Sequence, residues 1–534
     1  MIELSRKNWM SRALLGLTLT LTLAAGAVAD PVPTFREPWR PQFHFTPPDT
    51  WMNDPNGMLY HDGEYHLFYQ NNPFGNRWGH MSWGHAVSRD LTHWEHLPLA
   101  IAEADGVMIF SGSAVVDRKN TSGFGRDGKP PLVAIYTGHH TTKPLQDQHI
   151  AYSNDKGRTW TKFAGNPVLD IGEADFRDPK VFWHEPTSRW VMAVSWPQMR
   201  KVRFYGSPDL KSWAHLSDFG PAGSTSGIWE CPDLFPLAVE GSPAKSQWVL
   251  VVNVGSGAPA GGSGTQYFVG EFDGSRFVPA GLPSGKAETG ALWADFGRDF
   301  YAAVSWSDVP KSDGRRLWIG WMSNWTYAND VPTFPWRSAM TVPRELALRE
   351  TPAGFRLLQR PVRETGNLRG PKSSLRRARV TDADAWLATK QFPAGLAELE
   401  LQLDRVPAAG VLTLRCRHGA AGETLVEADL GAGELRIDRT RSGRSDFSPA
   451  FAGVHTAPLR IVDGCLSLRL LADVSSLEVF AQGGETVLTD LVLPASTALS
   501  FSLAATDEAR GLRVGSLSVF PLRPAPPILH TIKP

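Results

Sequence analysis

Between residues 40 and 345, apolar and aromatic positions come in short runs broken by Gly, Pro, Asp and Asn, and hardly any stretch keeps a helical period. Runs of this length, bounded by turn formers, predict strands throughout. One unit recurs among them. Ala86–Trp94, Ala151–Trp160 and Phe204–Trp213 each read as a strand, a Ser/Asp turn and a Trp, and Phe268–Phe277 is a degenerate fourth copy ending in Phe. The three Trp residues fall 66 and 53 positions apart, enough for about four strands per repeat, as in a propeller blade.

A second element precedes each copy. Asp54–Tyr60, Ser111–Val116, Asp178–Trp183 and Glu230–Phe235 put small or polar residues ahead of an apolar strand, and Asp299–Ser305 supplies a fifth. As the first strands of five blades around a common axis, they would bring Asp54, Asp178 and Glu230 together at one end of the channel. Beyond residue 345 the texture changes. A polar segment rich in Pro, Gly and Arg, 351–373, reads as a linker. After it, period-two runs such as Ala397–Leu403, Gly410–Arg415, Leu466–Leu471 and Leu477–Phe480 predict half-buried antiparallel sheet, most simply a β-sandwich. The expected fold is all-β: a five-bladed β-propeller over 40–350, then a β-sandwich over 370–524. Only Trp386 of the twenty Trp residues lies beyond position 337, so aromatic surface for ligand stacking belongs to the first domain.

Composition removes several function classes. The formal charge is zero over 534 residues, with nothing to attract nucleic acid or an anionic membrane. Residues 1–29 have a basic start through Arg12, an apolar run from Ala13 to Val28, and small residues at Ala27 and Ala29. This reads as a signal peptide cleaved near Ala29, with a secreted or periplasmic product and no membrane contact in the mature form. Three Cys without a paired spacing cannot staple a chain of this size. The fifteen His show no metal-binding motif, and His139-His140 reads as a loop pair, so no metal and no cofactor is expected. Asn120-Thr121-Ser122 and Asn324-Trp325-Thr326 match the glycosylation pattern, which occurs readily by chance.

The segment Trp51-Met52-Asn53-Asp54-Pro55-Asn56-Gly57 carries a carboxylate, two amides and an indole beside two residues that constrain the backbone. By itself it is an ordinary turn. In the repeat it becomes the start of an axial strand, with Pro55 and Gly57 aiming the acid.

Four motifs in order, Trp51–Gly57, Phe176–Pro179, Trp229–Phe235 and Trp321–Ala328, resemble glycoside hydrolase family 32, the fructan hydrolases and invertases. Ser475–Phe480 also resembles that family's sandwich domain. The resemblance implies that Asp54 is the nucleophile, Glu230 the general acid/base and Asp178 a transition-state stabiliser. Retaining hydrolysis needs one carboxylate to attack the anomeric carbon and another to protonate the leaving oxygen, roughly 5–5.5 Å away. Arg177 is expected to keep Asp178 charged, and the neighbouring acids to hold a proton on Glu230. Trp51, Asn53, Gln70, Trp78, Ser111, Arg177 and Trp336 match positions of the family's fructose pocket, Trp51 and Trp336 as its walls. Cys231 is expected to be a small buried neighbour of the acid, not a nucleophile.

Asn76–His85 and Trp336–Met340 look more like exo-acting inulinases and levanases than plant invertases. The expected activity is exo-β-fructosidase, releasing terminal fructose from levan, inulin or sucrose, by a monomer. Endo-levanase, invertase, fructosyltransferase and a non-catalytic fructan-binding protein are the alternatives, with linkage preference left to the loops 105–110 and 220–228. The sandwich lacks an aromatic stripe and is expected to stabilise the propeller rather than bind carbohydrate.

Overall fold

The computed structural model describes residues 34–281, 290–420, 422–509 and 511–529. The expected signal peptide lies outside them. Five antiparallel four-stranded blades follow one another. Their innermost strands are Thr50–His61, Val107–Val116, Arg177–His184, Trp229–Val239 and Tyr301–Ser305. Each packs on the next and the fifth on the first, closing the ring. The hydrophobic cores lie between blades: Phe68, Ile109 and Tyr136 between the first two, Ile135, Val181 and Met192 between the next. Leu67, Tyr301 and Ile319 fill the seam where the fifth blade meets the first. A sheet buried on both faces explains why these strands read as continuous apolar runs.

The recurring Ser/Asp turns join the third strand of a blade to the fourth. Asp90 accepts from the backbone N–H groups of Thr92 and His93, Asp209 from Lys211 and Ser212, and Asp273 from Ser275 and Arg276. The carboxylate replaces backbone partners that the turn removes from the ladder.

All five innermost strands carry a β-bulge at the same end. The register slips between Met52 and Pro55, Ile109 and Gly112, Lys180 and Arg177, Glu230 and Asp233, and Tyr301 and Val304. Bulges re-aim side chains and sharpen local twist. Three of them hold a non-glycine residue in the left-handed region: Asp178 at φ 68°, Cys231 at 43° and Ala302 at 52°. Gly57 lies inside the first inner strand at a second slip, between Asn56 and Leu59, with φ 54°.

Two sheets form the sandwich, one of six strands centred on Ala397–Asp404 and Leu466–Asp473, the other of five centred on Gly422–Asp429. Leucine dominates the core between them. The short helix Val380–Leu387 was not expected from the strand pattern. The segment read as a linker also differs: Gly354–Pro361 is the fifth blade's outer strand, paired along its length with Arg344–Thr351. Its Pro, Gly and Arg content made it read as a linker, but an outer propeller strand tolerates one polar face.

Candidate active site

The bulged ends of the strands gather the acids. Asp54 is buried, its Oδ1 accepting from Asn53 Nδ2 at 3.0 Å and its Oδ2 from Ser111 Oγ at 2.7 Å. The Trp51 indole donates to Asn53 Oδ1 at 2.7 Å, which fixes the amide so that its NH₂ faces the carboxylate. Asp178 Oδ2 accepts from the backbone N–H of Cys231 at 2.9 Å, a donor aimed by that residue's left-handed conformation. The Cys231 thiol lies 3.4 Å from Asp54 Oδ2 and 3.6 Å from Asp178 Oδ2, so one sulfur spans two blades' carboxylates. Burial, then the surrounding acids, push that thiol well up, and it stays a donor.

Glu230 is held from two sides. Arg177 Nε and Nη2 donate to its Oε1 at 3.1 and 3.0 Å, and the Tyr301 hydroxyl donates to Oε2 at 2.5 Å. This corrects the expected role of Arg177. Its guanidinium sits on Glu230, Asp175 and Gln146, while Asp178 is reached only at 4.0 Å. Asp178 is consequently not kept in the ordinary carboxylate range. Burial raises it, Arg177 only partly opposes, Glu230 and Asp54 add repulsion, and it is pushed up to about 7. Burial also raises Asp54, against the hydrogen bonds from Ser111 and Asn53 and reinforced by Glu230.

A pocket of about 290 Å³ is lined by the three acids with Asn53, Gln70, Trp78, Phe110, Ser111, His139, Gln146, Asp175, Arg177 and Trp325. It adjoins an outer cleft of about 500 Å³ lined by Arg200, Ser226, Gly227, Ile228, Gly255 and Ser256. Glu230 and Trp325 line both. Of the expected binding residues, Asn53, Gln70, Trp78, Ser111 and Arg177 reach the pocket. Trp51 does not; it is fully buried behind Asn53 and against Trp325. Trp336 does not either: its ring is covered by the Arg40 guanidinium at 4.6 Å. Its backbone pairs with Thr50, enough to place the motif nearby but not the ring.

Phe110, His139, Gln146, Asp175, Trp325 and Tyr301 were missed. Tyr301 had a signal, since it opens the fifth inner strand at the position Glu230 holds in the fourth, just before the bulge. Phe110 and His139 stack face to face at 4.5 Å and build one rim together. Asn324, which matched a glycosylation pattern, is fully buried and its amide donates to three backbone carbonyls. A larger cavity of about 980 Å³ at the far ends of the inner strands, lined by Lys180, Asp233 and Arg316 among others, includes none of the three acids.

A closed ring of blades that aims three carboxylates into one polar, indole-edged pocket defines a carbohydrate-cleaving hydrolase. The chain belongs to glycoside hydrolase family 32: residues 44–361 match the model for "Glycosyl hydrolases family 32 N-terminal domain" and 364–521 that for "Glycosyl hydrolases family 32 C terminal". It is 48% identical to a levanase of Bacillus subtilis (strain 168), over 97% of this chain and 75% of that protein. It is 40% identical to an extracellular exo-inulinase of Aspergillus awamori, over 88% of this chain and 93% of the relative. The crystal structure of exo-inulinase from Aspergillus awamori superposes with a TM-score of 0.83 at 38% identity, covering 92% of this chain and 99% of that one. A β-fructofuranosidase from Schwanniomyces occidentalis complexed with fructosyl-erythritol gives 0.82 at 32%, with coverages of 92% and 99%.

Proposed function

We propose that this glycoside hydrolase is a retaining exo-β-fructosidase in which Asp54 attacks, Glu230 transfers protons and Asp178 binds the reacting sugar. One observation carries the assignment of roles: of the three acids, Glu230 alone lines both the inner pocket and the outer cleft. A terminal fructosyl group in the pocket would put its glycosidic oxygen at that junction. Glu230 then donates a proton to this oxygen as an Asp54 carboxylate oxygen bonds to the anomeric carbon and the C–O bond breaks. Water entering from the cleft loses a proton to Glu230, attacks the anomeric carbon and releases Asp54. Asp178 and Asn53 face the sugar's hydroxyls, and Arg177 and Tyr301 hold Glu230 in register.

Levan, inulin and sucrose all present the required terminal unit, and the names of the relatives support the first two. Among the described residues the site is complete within one chain, and no helix is long and apolar enough to cross a membrane. The apolar run before Ala29 supports export to the periplasm or medium.

The test is product analysis on the three substrates with the wild type, Asp54→Ala and Glu230→Ala. The wild type is expected to release fructose and no oligosaccharide from levan and inulin, and fructose with an equal amount of glucose from sucrose, the fructose appearing first as the β-anomer by NMR. Asp54→Ala should bind but not turn over, and Glu230→Ala should lose about 10²–10⁴-fold in kcat. Oligosaccharide products or turnover by Asp54→Ala would overturn the reading.

A further inference from the structure

Beside the pocket, the second blade assembles another set of ligating side chains. His139 and His140 were expected in a loop, but they end the strand Leu132–His140, which pairs with Gln146–Ser153. Asp147 Oδ1 lies 2.7 Å from His149 Nε2, and His140 Nε2 lies 3.0 and 2.9 Å from Asp147 Oδ1 and Oδ2. One ligand atom from each of the three residues falls within 4.8 Å of the others. The Asp147 side chain is buried, while the imidazoles of His140 and His149 keep 16% and 13% exposure, enough for an ion to reach them from water.

Gly138 pairs with Asp147, and a Cβ there would sit 2.6 Å from His149 Nε2 and 3.0 Å from Asp147 Oδ1. Glycine at this position lets the His149 imidazole and the Asp147 carboxylate pack directly over the strand. All three residues stand on paired strands, so the donors are held by a ladder and not by a loop.

We propose that His140, Asp147 and His149 bind a divalent transition-metal ion of the zinc and copper class, with water completing its coordination. Two imidazoles and one carboxylate suit these ions, whereas Mg²⁺ and Ca²⁺ prefer all-oxygen sites. Bonds of about 2.0–2.2 Å in a tetrahedron separate the donors by roughly 3.3–3.6 Å, so the two His–Asp separations must open by about half an ångström to one ångström. The ion displaces the two Nε2 protons that now point at Asp147, each imidazole retaining or taking up a proton at Nδ1. His139 and Gln146, next in the chain to His140 and Asp147, line the catalytic pocket, and Gln146 Oε1 accepts from Arg177. The ion therefore sits one residue from Gln146, which in turn contacts the Arg177 that holds Glu230.

Zn²⁺ titration of the untagged, chelator-treated chain by calorimetry tests the site, with the thermal midpoint followed in parallel. One saturable ion and a raised midpoint are expected for the wild type. His140→Gln and His149→Gln should weaken binding by at least about tenfold. His215→Gln, which removes a different His–Asp pair, should leave it unchanged. The Cu²⁺ EPR spectrum of the wild type, which depends on no variant folding, should show two imidazole nitrogens. Absence of saturable binding, equal affinity in all variants, or a copper spectrum with fewer than two nitrogens would overturn the proposal.

Discussion

In the proposed mechanism Ser111 keeps Asp54 usable as a nucleophile. Burial raises the Asp54 carboxyl above its ordinary 3.8, and the 2.7 Å bond from Ser111 is foremost among the interactions opposing this. A group raised in this way is neutral below its shifted pKa, so the acid limb of kcat/KM should lie above the ordinary Asp range. Ser111→Ala removes a hydrogen bond to a charged group, worth about 1.5–3 kcal/mol, so kcat/KM should fall roughly 10- to 100-fold. The limb should move to higher pH. A pH–rate profile that fell uniformly, with no displacement of the limb, would place Ser111 in substrate binding instead. The three acids were legible in the sequence because the repeat gave their blades a common register, and Ser111 through the family resemblance. Trp336 was misplaced because a five-residue window says nothing about which way a ring turns. Tyr301 was passed over because its strand was recognised without an acid at that position to mark it, and His139 because it was read as a loop residue, although both occupy strand positions beside the pocket.

At the scale of the element, the working device is the bulge repeated on five inner strands. It sets two residues against one, and Asp54, Ser111 and Asp178 all come from such doubled positions. Strands and Ser/Asp turns were readable from alternation and composition. The bulges were not, since left-handed Asp178, Cys231 and Ala302 give no glycine to mark them. The 351–373 segment was misread for a related reason: propensity sees polar residues, while pairing with Arg344–Thr351 decides the structure. Gly112 offers a direct test. A Cβ at Gly112 would meet Ile135 O at 2.1 Å and Tyr136 Cα at 2.7 Å, backbone atoms that cannot swing aside. Its N–H also donates to Asn56 Oδ1 at 3.1 Å, tying the first two blades together beside the site. Gly112→Ala should cost about 1–3 kcal/mol in urea unfolding, as overpacking does. It should also lower kcat, by displacing Ser111; a variant that unfolds early yet keeps wild-type kcat would uncouple the bulge from the chemistry.

The whole molecule is joined through a buried charge network between propeller and sandwich. His44, ahead of the first blade, meets Asp473 through Nδ1 and Glu478 through Nε2, both at 2.8 Å, and Glu478 also takes Arg344 from the fifth blade at 2.5 Å. A second bridge runs from Arg439 of the sandwich to Asp299 at 2.6 Å. Asp299 lies two residues before Tyr301, so the sandwich braces the strand that positions Glu230. This fits a stabilising domain better than a detachable binding module. Burial by itself would lower the His44 pKa, but its two carboxylate partners outweigh that and raise it from 6.5 to about 9. A histidine raised on folding contributes its stability fully below pH 6.5, less as pH rises, and none above about 9. The contribution is on the order of 3 kcal/mol. The thermal midpoint should therefore fall between pH 6.5 and 9 more steeply than in His44→Gln. That variant should be less stable at pH 6, where two buried carboxylates lose their cation, and should converge on the wild type above the upper limit. Parallel profiles for the two proteins would mean that His44 is not the titrating tie between the domains.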